Sequence, residues 1–177
     1  MASFFSHPAL PVALKIASSR PVSKSLFILC IILTCFPDID VVAFRFGIPY
    51  QSPWGHRGFT HSFLFAFVLG FLCQFFFRKL RESRQKVFLW TTAAVLSHSL
   101  MDALTNGGFG VAWLWPLSDE RFFFPWRPVE VSPIGAAGFM SMRGVVVVLS
   151  EIIWLWIPSL LVAKGYSLLM KNKKPLT

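Results

Sequence analysis

Charge is what this chain has least of. Of its 177 residues only 14% are Asp, Glu, Lys or Arg, against 55% apolar. That balance excludes an ordinary water-soluble globular domain, in which about a quarter of the residues are charged. A continuous basic stripe is also missing. The formal charge of +9 comes from residues scattered between apolar segments, so no nucleic-acid partner is expected. The three cysteines, Cys30, Cys35 and Cys73, form no CxxC pair and lie in apolar runs. They read as small core or lipid-facing residues, not as a disulfide framework. No small-x-small cleavage site follows the apolar run Leu26–Cys35; Pro37-Asp38-Ile39-Asp40 comes next, and Thr34 does not suit a lipobox. The run is therefore a membrane helix and not a cleaved signal. The absence of an HExxH motif excludes a zincin-type protease.

What the chain has in quantity is phenylalanine, with 20 copies, and tryptophan, with seven. A bilayer core needs about 20 apolar residues per helix. Segments 22–36, 61–77, 87–104 and 144–163 read as membrane helices. The stretch 2–19, with Pro8, Pro11 and Lys15, reads as a tilted, kinked or half-inserted one. The expected fold is thus all-α: one domain over residues 1–177, a polytopic bundle of four to five helices with a long outer loop rich in aromatics and proline.

If the helices alternate in direction, Arg20, Lys24, Arg78, Lys79, Arg81, Arg84, Lys86, Lys164, Lys171, Lys173 and Lys174 share one side. Arg45, Arg57, Arg121, Arg127 and Arg143 fall on the other. The positive-inside rule puts the larger set in the cytoplasm. On the opposite side, and without having been used to choose it, gather His7, Asp38, Asp40, His56, His61, His98 and Asp102. Residues far apart in sequence converge on one level of the membrane.

His98 and Asp102 are four apart and project from one helix face. An ionisable pair inside a membrane segment is costly and functional by default, although an inter-helix hydrogen bond would also account for it. Asp38 and Asp40 flank Ile39, and an extended turn after Pro37 would aim both at a common point. His56 and His61 lie five apart; Gly58 would turn the chain so that both reach one target, with Thr60 as the N-cap of the helix beyond. Neutral imidazoles with carboxylates are ligands for zinc and similar divalent metals, and their mixture favours a water-bearing site over a closed structural one. Metal ligation is expected of Asp38, Asp40, His56, His61, His98 and Asp102. A carboxylate not used as a ligand, Asp40 by choice, would be the general base. Arg57, with Arg121 and Arg127 as further candidates, would hold an anionic substrate oxygen; lipid headgroups would satisfy each of these arginines equally. Glu151, about two turns into the last helix, is either a partner to a ligand or a neutral acid. The loop "VAWLWPLSDERFFFPWRPVEVSPIG" (111–135) reads as an interfacial aromatic anchor and as a lid over a site open to lipid.

The segments "PDID" (37–40), "HRGFTHS" (56–62), "SHSLMDALTNGG" (97–108) and "WPLSDERFFFPWRPVEVSPIG" (115–135) resemble the YdjM-type family of inner-membrane proteins. Its members are described as LexA-regulated, metal-dependent hydrolases of enteric bacteria. They occur here in the family's order over most of the chain. The family resembles in turn the all-helical zinc-dependent phospholipases C and their nuclease relatives. The resemblance implies a hydrolase of the bacterial inner membrane acting on a phosphoester or phospholipid. It also implies a divalent metal, zinc first and manganese second, on the six ligands named above, and an early histidine matching His7. The alternatives are a metal-binding or transport protein, which would need a polar path through the bundle, haem ligation by His61 and His98, and a non-catalytic scaffold.

Overall fold

The computed structural model describes residues 1–76 and 80–172. Phe77, Arg78 and Lys79, and Lys173 and Lys174, which the topology argument above used, lie outside the described residues. The elements are α1 (Ala9–Ala17), α2 (Lys24–Cys35), a 3-10 stretch (Phe36–Phe46), a 3-10 turn (Phe59–His61), α3 (Phe63–Phe76), α4 (Arg84–Ala103), the short α5 (Ala136–Phe139) and α6 (Met142–Glu151). A π-helical turn (Ile152–Trp156) then leads without a break into α7 (Ile157–Asn172). The chain is all-helical; among the described residues the only extended pairings are isolated bridges, Thr105 with Val129 and Val111 with Phe122.

Serine starts four of the helices. Its hydroxyl accepts an otherwise orphaned amide at Ser23 (from Leu26), Ser62 (from Phe65), Ser83 (from Lys86) and Ser141 (from Arg143). The cap of α3 is therefore Ser62 and not Thr60, which sits one turn earlier. At the end of α2, Pro37 cannot donate to the α-helical ladder, and the winding tightens to 3-10 until Gly47, at φ 71°, ends it. Asp38 and Asp40 consequently lie on a helical turn, not on the extended one expected.

Among the described residues two stretches are long and apolar enough to cross a membrane: Lys24–Phe46, which joins α2 to the 3-10 stretch, and Met142–Lys171. The other expected segments are helical too, but shorter or more polar. Only Ala9–Ala17 of the first segment is helix, nine residues or about 13 Å; Ala2, Ser3, Ser6 and His7 precede it as buried chain. α4 is long but carries Thr91, Thr92, Ser97, His98, Ser99 and Asp102 on buried faces, so its mean hydropathy understates its central position.

The core is apolar and made of small residues. Leu26, Cys30 and Leu33 of α2 pack with Ala66 and Cys73 of α3 and with Val87, Ala94 and Val95 of α4. Outward faces are apolar as well. Phe67, Phe71 and Phe75 on α3, and Leu149, Ile153, Leu161 and Val162 along α6–α7, are all exposed. A surface this apolar suits lipid as the solvent. At one end the loops are tied together: Lys86 donates to Glu82 (2.8 Å) and to the carbonyl of Pro21 (2.6 Å), and Glu82 accepts from the amide of Ser23 (2.7 Å). The histidines lie toward the other end of α1, α2 and α4.

α3 comes close to α4 at Gly70, where a Cβ would stand 2.0 Å from Thr92 Oγ1 and 3.2 Å from the Thr92 amide nitrogen. Gly70→Val is expected to lower stability in detergent by about 1–3 kcal/mol, read as a fall in melting temperature. Gly70→Ala should cost less, and adding Thr92→Ala to it should restore part of the loss. An unchanged melting temperature in Gly70→Val would mean that the two helices do not meet there.

Candidate metal centre

Three separate segments deliver four side-chain atoms to one point. The 3-10 stretch supplies Asp38 Oδ1, the 3-10 turn supplies His61 Nε2, and α4 supplies His98 Nε2 and Asp102 Oδ2. His61 Nε2 lies 2.9 Å from His98 Nε2, 3.5 Å from Asp102 Oδ2 and 3.8 Å from Asp38 Oδ1. His98 Nε2 is 3.4 Å from Asp38 Oδ1 and 4.0 Å from Asp102 Oδ2. Ligands of a tetrahedral zinc ion, bound at about 2.0–2.2 Å, stand about 3.3 Å apart, and these separations bracket that value. The four residues are close enough together to hold a metal ion.

The hydrogen bonds behind these atoms decide which way their lone pairs point. His98 Nδ1 faces the carbonyl of Thr34 at 2.8 Å. A carbonyl only accepts, so Nδ1 carries the proton and Nε2 offers a lone pair. His61 Nδ1 lies 3.0 Å from Thr60 Oγ1 and 3.2 Å from Asp40 Oδ2, and the Thr60 hydroxyl donates to Asp40 at 2.7 Å. Here too Nδ1 donates and Nε2 is left bare. Two imidazole lone pairs 2.9 Å apart repel unless a proton or a cation lies between them. Asp38 Oδ1, buried beside them, has no hydrogen-bond partner among the described residues. An unpaired buried oxygen is costly, and a cation would satisfy it. The donor set thus fits a divalent metal.

Asp40 has a different place. It accepts from His56 Nδ1 (2.6 Å), the Arg57 amide (3.1 Å) and Thr60 Oγ1, and it faces His61 Nδ1. Asp40, His56 and His61 are also close enough to share an ion, but 2.6 Å is the spacing of a charge-assisted hydrogen bond. With its lone pairs committed to these donors, Asp40 is a poor general base, contrary to the expectation from sequence, and a good orienting carboxylate. His56 is wholly buried and its Nε2 has no partner among the described residues; Tyr50, which the sequence did not single out, packs edge-on against it at 5.1 Å. Burial raises the Tyr50 phenol above its usual range. His7 stacks on His98 at 3.8 Å and lies 3.6 Å from Asp38 Oδ2, with neither ring nitrogen hydrogen-bonded among the described residues.

The arginines depart from expectation. Arg57 does not face an external anion; it is completely buried. Its Nε donates to Asp102 Oδ2 at 2.9 Å, Nη2 to Thr105 Oγ1 at 2.8 Å and Nη1 to the Gly107 carbonyl at 3.1 Å. Arg57 also makes the turn that was assigned to Gly58: it has φ 62°, whereas Gly58 has φ −83°. Gly58 is needed for space, because a Cβ there would lie 2.1 Å from the Pro53 carbonyl. Arg121 is spent on the carbonyls of Tyr50, Ser52 and His56, and burial lowers its pKa from the usual value. Arg127 is exposed and sits over the Phe123 ring at 4.7 Å, away from the cluster.

Glu151 belongs to neither ligand group. It accepts from the backbone amide and hydroxyl of Ser3, while the Ala2 amide donates to Asp102 Oδ1 at 2.6 Å. The N-terminal segment is thereby threaded between α4 and α6. Ser3 and Thr34, which also bonds the His7 carbonyl at 3.2 Å, carry no distinguishing sequence signal. The loop 111–135 packs over this end of the helices: Trp113 stacks between Phe63 and Phe122, and the Trp113 carbonyl accepts from the Phe63 amide at the head of α3.

Comparison with known proteins agrees with the membrane character of this fold. The sequence model described as the YdjM inner membrane protein matches residues 1–174. Inner membrane protein YbcI of Escherichia coli (strain K12) is 42% identical over 163 residues, covering 91% of this chain and 94% of the relative. No solved structure matches the chain.

Removing one partner of a buried ion pair strands the other, at a cost of about 3–5 kcal/mol. Arg57→Met is therefore expected to yield little folded protein or a sharply lowered melting temperature, whereas Arg127→Met leaves it unchanged. Equal melting temperatures for the two variants would show that the Arg57–Asp102 pair does not hold the fold.

Proposed function

The chain belongs to the YdjM inner membrane protein family, and from this and the facing lone pairs of His61 and His98 we propose a multi-pass membrane metallohydrolase. Its substrate is a phosphoester carried on a lipid. The observation that carries the reading is the 2.9 Å approach of two imidazole nitrogens whose other nitrogens are already committed. Asp38, His61, His98 and Asp102 would hold the ion, zinc first and manganese second. When bound, such a cation supplies Lewis acidity and a water whose pKa is lowered to about 7. Asp40 orients His61 and His56; Arg57 orients Asp102. His7, with both ring nitrogens free and Asp38 beside it, takes the proton-transfer role that Asp40 cannot fill.

The surroundings favour a lipid substrate over a soluble one. Asp38 is the ligand with most exposure, 13% of its side chain. Residues three apart in a 3-10 helix share a face, so Val41 continues the face of Asp38. Val41 lines a cleft of about 440 Å³ whose other walls include Phe4, Ile134, Phe139 and Met140. An acyl chain suits that lining. Transport finds less support: between the cluster and the basic end, α2, α3 and α4 are packed mainly by Leu26, Cys30, Leu33, Ala66, Ala94 and Val95, and the buried polar groups of α4 in that stretch are the hydroxyls of Thr91 and Thr92, with no charged side chain among the described residues there.

Protein purified in detergent without chelator is expected to carry zinc or manganese stoichiometrically, measured by elemental analysis. His61→Ala and His98→Ala should lose it, and Asp40→Asn should bind about 10–100-fold more weakly. Phospholipid vesicles should release their headgroups with the loaded protein and not after chelation. Metal without turnover would leave a binding protein; full metal content in both histidine variants would refute the ligand assignment. The charge bias further puts the C-terminus in the cytoplasm and the metal site on the periplasmic side. A C-terminal green fluorescent protein fusion should fluoresce and an alkaline phosphatase fusion at the same point should be inactive; the reverse pattern overturns this orientation.

A further inference from the structure

Far from the histidines, at the basic end of the bundle, short α1 leaves a gap that its neighbours do not close. Leu10, Leu14 and Ala17 of α1 face Pro158, Val162 and Tyr166 of α7 across an almost wholly apolar recess of about 520 Å³. The small side chains Ala13 and Ala163 deepen it. A second cleft of about 800 Å³ shares Leu14, Ala17 and Tyr166 with the first, so the two adjoin along these side chains. Its floor is Leu89, Trp90 and Ala93 of α4, and its rim is polar: Ser18, Ser19 and Arg20 on one side, Gln85 and Lys86 on the other. Beyond that rim Arg20 and Lys86 also border a third recess together with Arg81.

The charges at this mouth are unbalanced. Glu82 is the one acid in the loops at this end, and Lys86 already neutralises it at 2.8 Å. Arg20 and Arg81 form no ion pair among the described residues. A long apolar slot that opens beside unpaired guanidinium groups matches one membrane component in shape and sign: a lipid with a negatively charged headgroup.

We propose that this composite cleft binds an anionic phospholipid, with an acyl chain between α1 and α7 and the phosphate at Arg20 and Arg81. The bound lipid fills the side of α1 that protein leaves bare. It thereby braces the helix whose opposite end begins just after His7. The site is independent of the metal centre and of any hydrolytic activity.

The test uses the full chain, purified in mild detergent and examined by native mass spectrometry with added phosphatidylglycerol or phosphatidylethanolamine. Phosphatidylglycerol is expected to remain bound in preference to phosphatidylethanolamine. Arg20→Gln and Arg81→Gln should each weaken its retention about fivefold, and together about 25-fold. Both side chains are exposed, so these variants should keep the wild-type melting temperature. Ala17→Trp, which fills the slot, should abolish retention with both arginines intact. Equal retention of the two lipids, or phosphatidylglycerol binding indifferent to both arginine substitutions, overturns the proposal. So does a dimer that excludes lipid, since a second copy would then cover the cleft.

Discussion

Asp102 is the point on which the rest of the structure depends. Its Oδ1 accepts from the Ala2 amide and its Oδ2 from the Arg57 guanidinium, with His61 Nε2 at 3.5 Å. One buried carboxylate thus joins the N-terminal segment, the loop before α3 and the central helix α4. A carboxylate without water is tolerated only where several donors surround it. That requirement draws chain from three directions onto α4 and encloses Asp102, Arg57, His61 and His98 completely. The loop bearing Arg57 must accept a left-handed backbone at that residue, φ 62°, for the guanidinium to reach inward.

The remaining architecture serves that polar knot in an apolar surrounding. α1 and α3 are shorter than a bilayer is thick, at nine and fourteen residues, so the cluster lies where they end and irregular chain begins. Irregular chain buried among helices is stable only when its backbone groups are paired within the protein. Here Ala112 donates to the Arg57 carbonyl, Phe124 to Ala103, and Asn106 to Val129. The aromatic stack of Phe63, Trp113 and Phe122 covers the head of α3. Below the cluster, small residues such as Ala66, Gly70 and Ala94 let α3 and α4 approach closely, as small residues do at helix contacts in membranes.

Much of this was legible before folding was considered, though not evenly. Scarce charge and long apolar runs indicated an all-helical membrane protein, because the cost of placing a charge in hydrocarbon leaves a statistical mark on any such chain. The i, i+4 spacing of His98 and Asp102 placed both on one face of α4, as found. Local turn chemistry was less readable. Thr60 has the right residue type for a cap, yet its hydroxyl serves Asp40 while Ser62 takes the cap. A hydroxyl follows the strongest acceptor within reach, and that acceptor lies 20 residues away in the chain. Arg57 was read as free for an anion because the sequence does not reveal that its counter-charge is Asp102, 45 residues on.

The sequence by itself determined the class of the molecule and its membership of a family of inner membrane proteins, and it pointed to the histidines and aspartates that the fold brings together. The class follows from composition and helical periodicity, which are local, and the membership from motifs kept in order along the chain. Only the tertiary structure decided which nitrogen of each histidine faces the centre, and that Asp38 stands bare while Asp40 is saturated. It alone placed Glu151 on the N-terminal segment and left a cleft at the foot of α1. Those outcomes depend on which donors and acceptors meet across segments far apart in the chain, and no pattern along one segment records its partners.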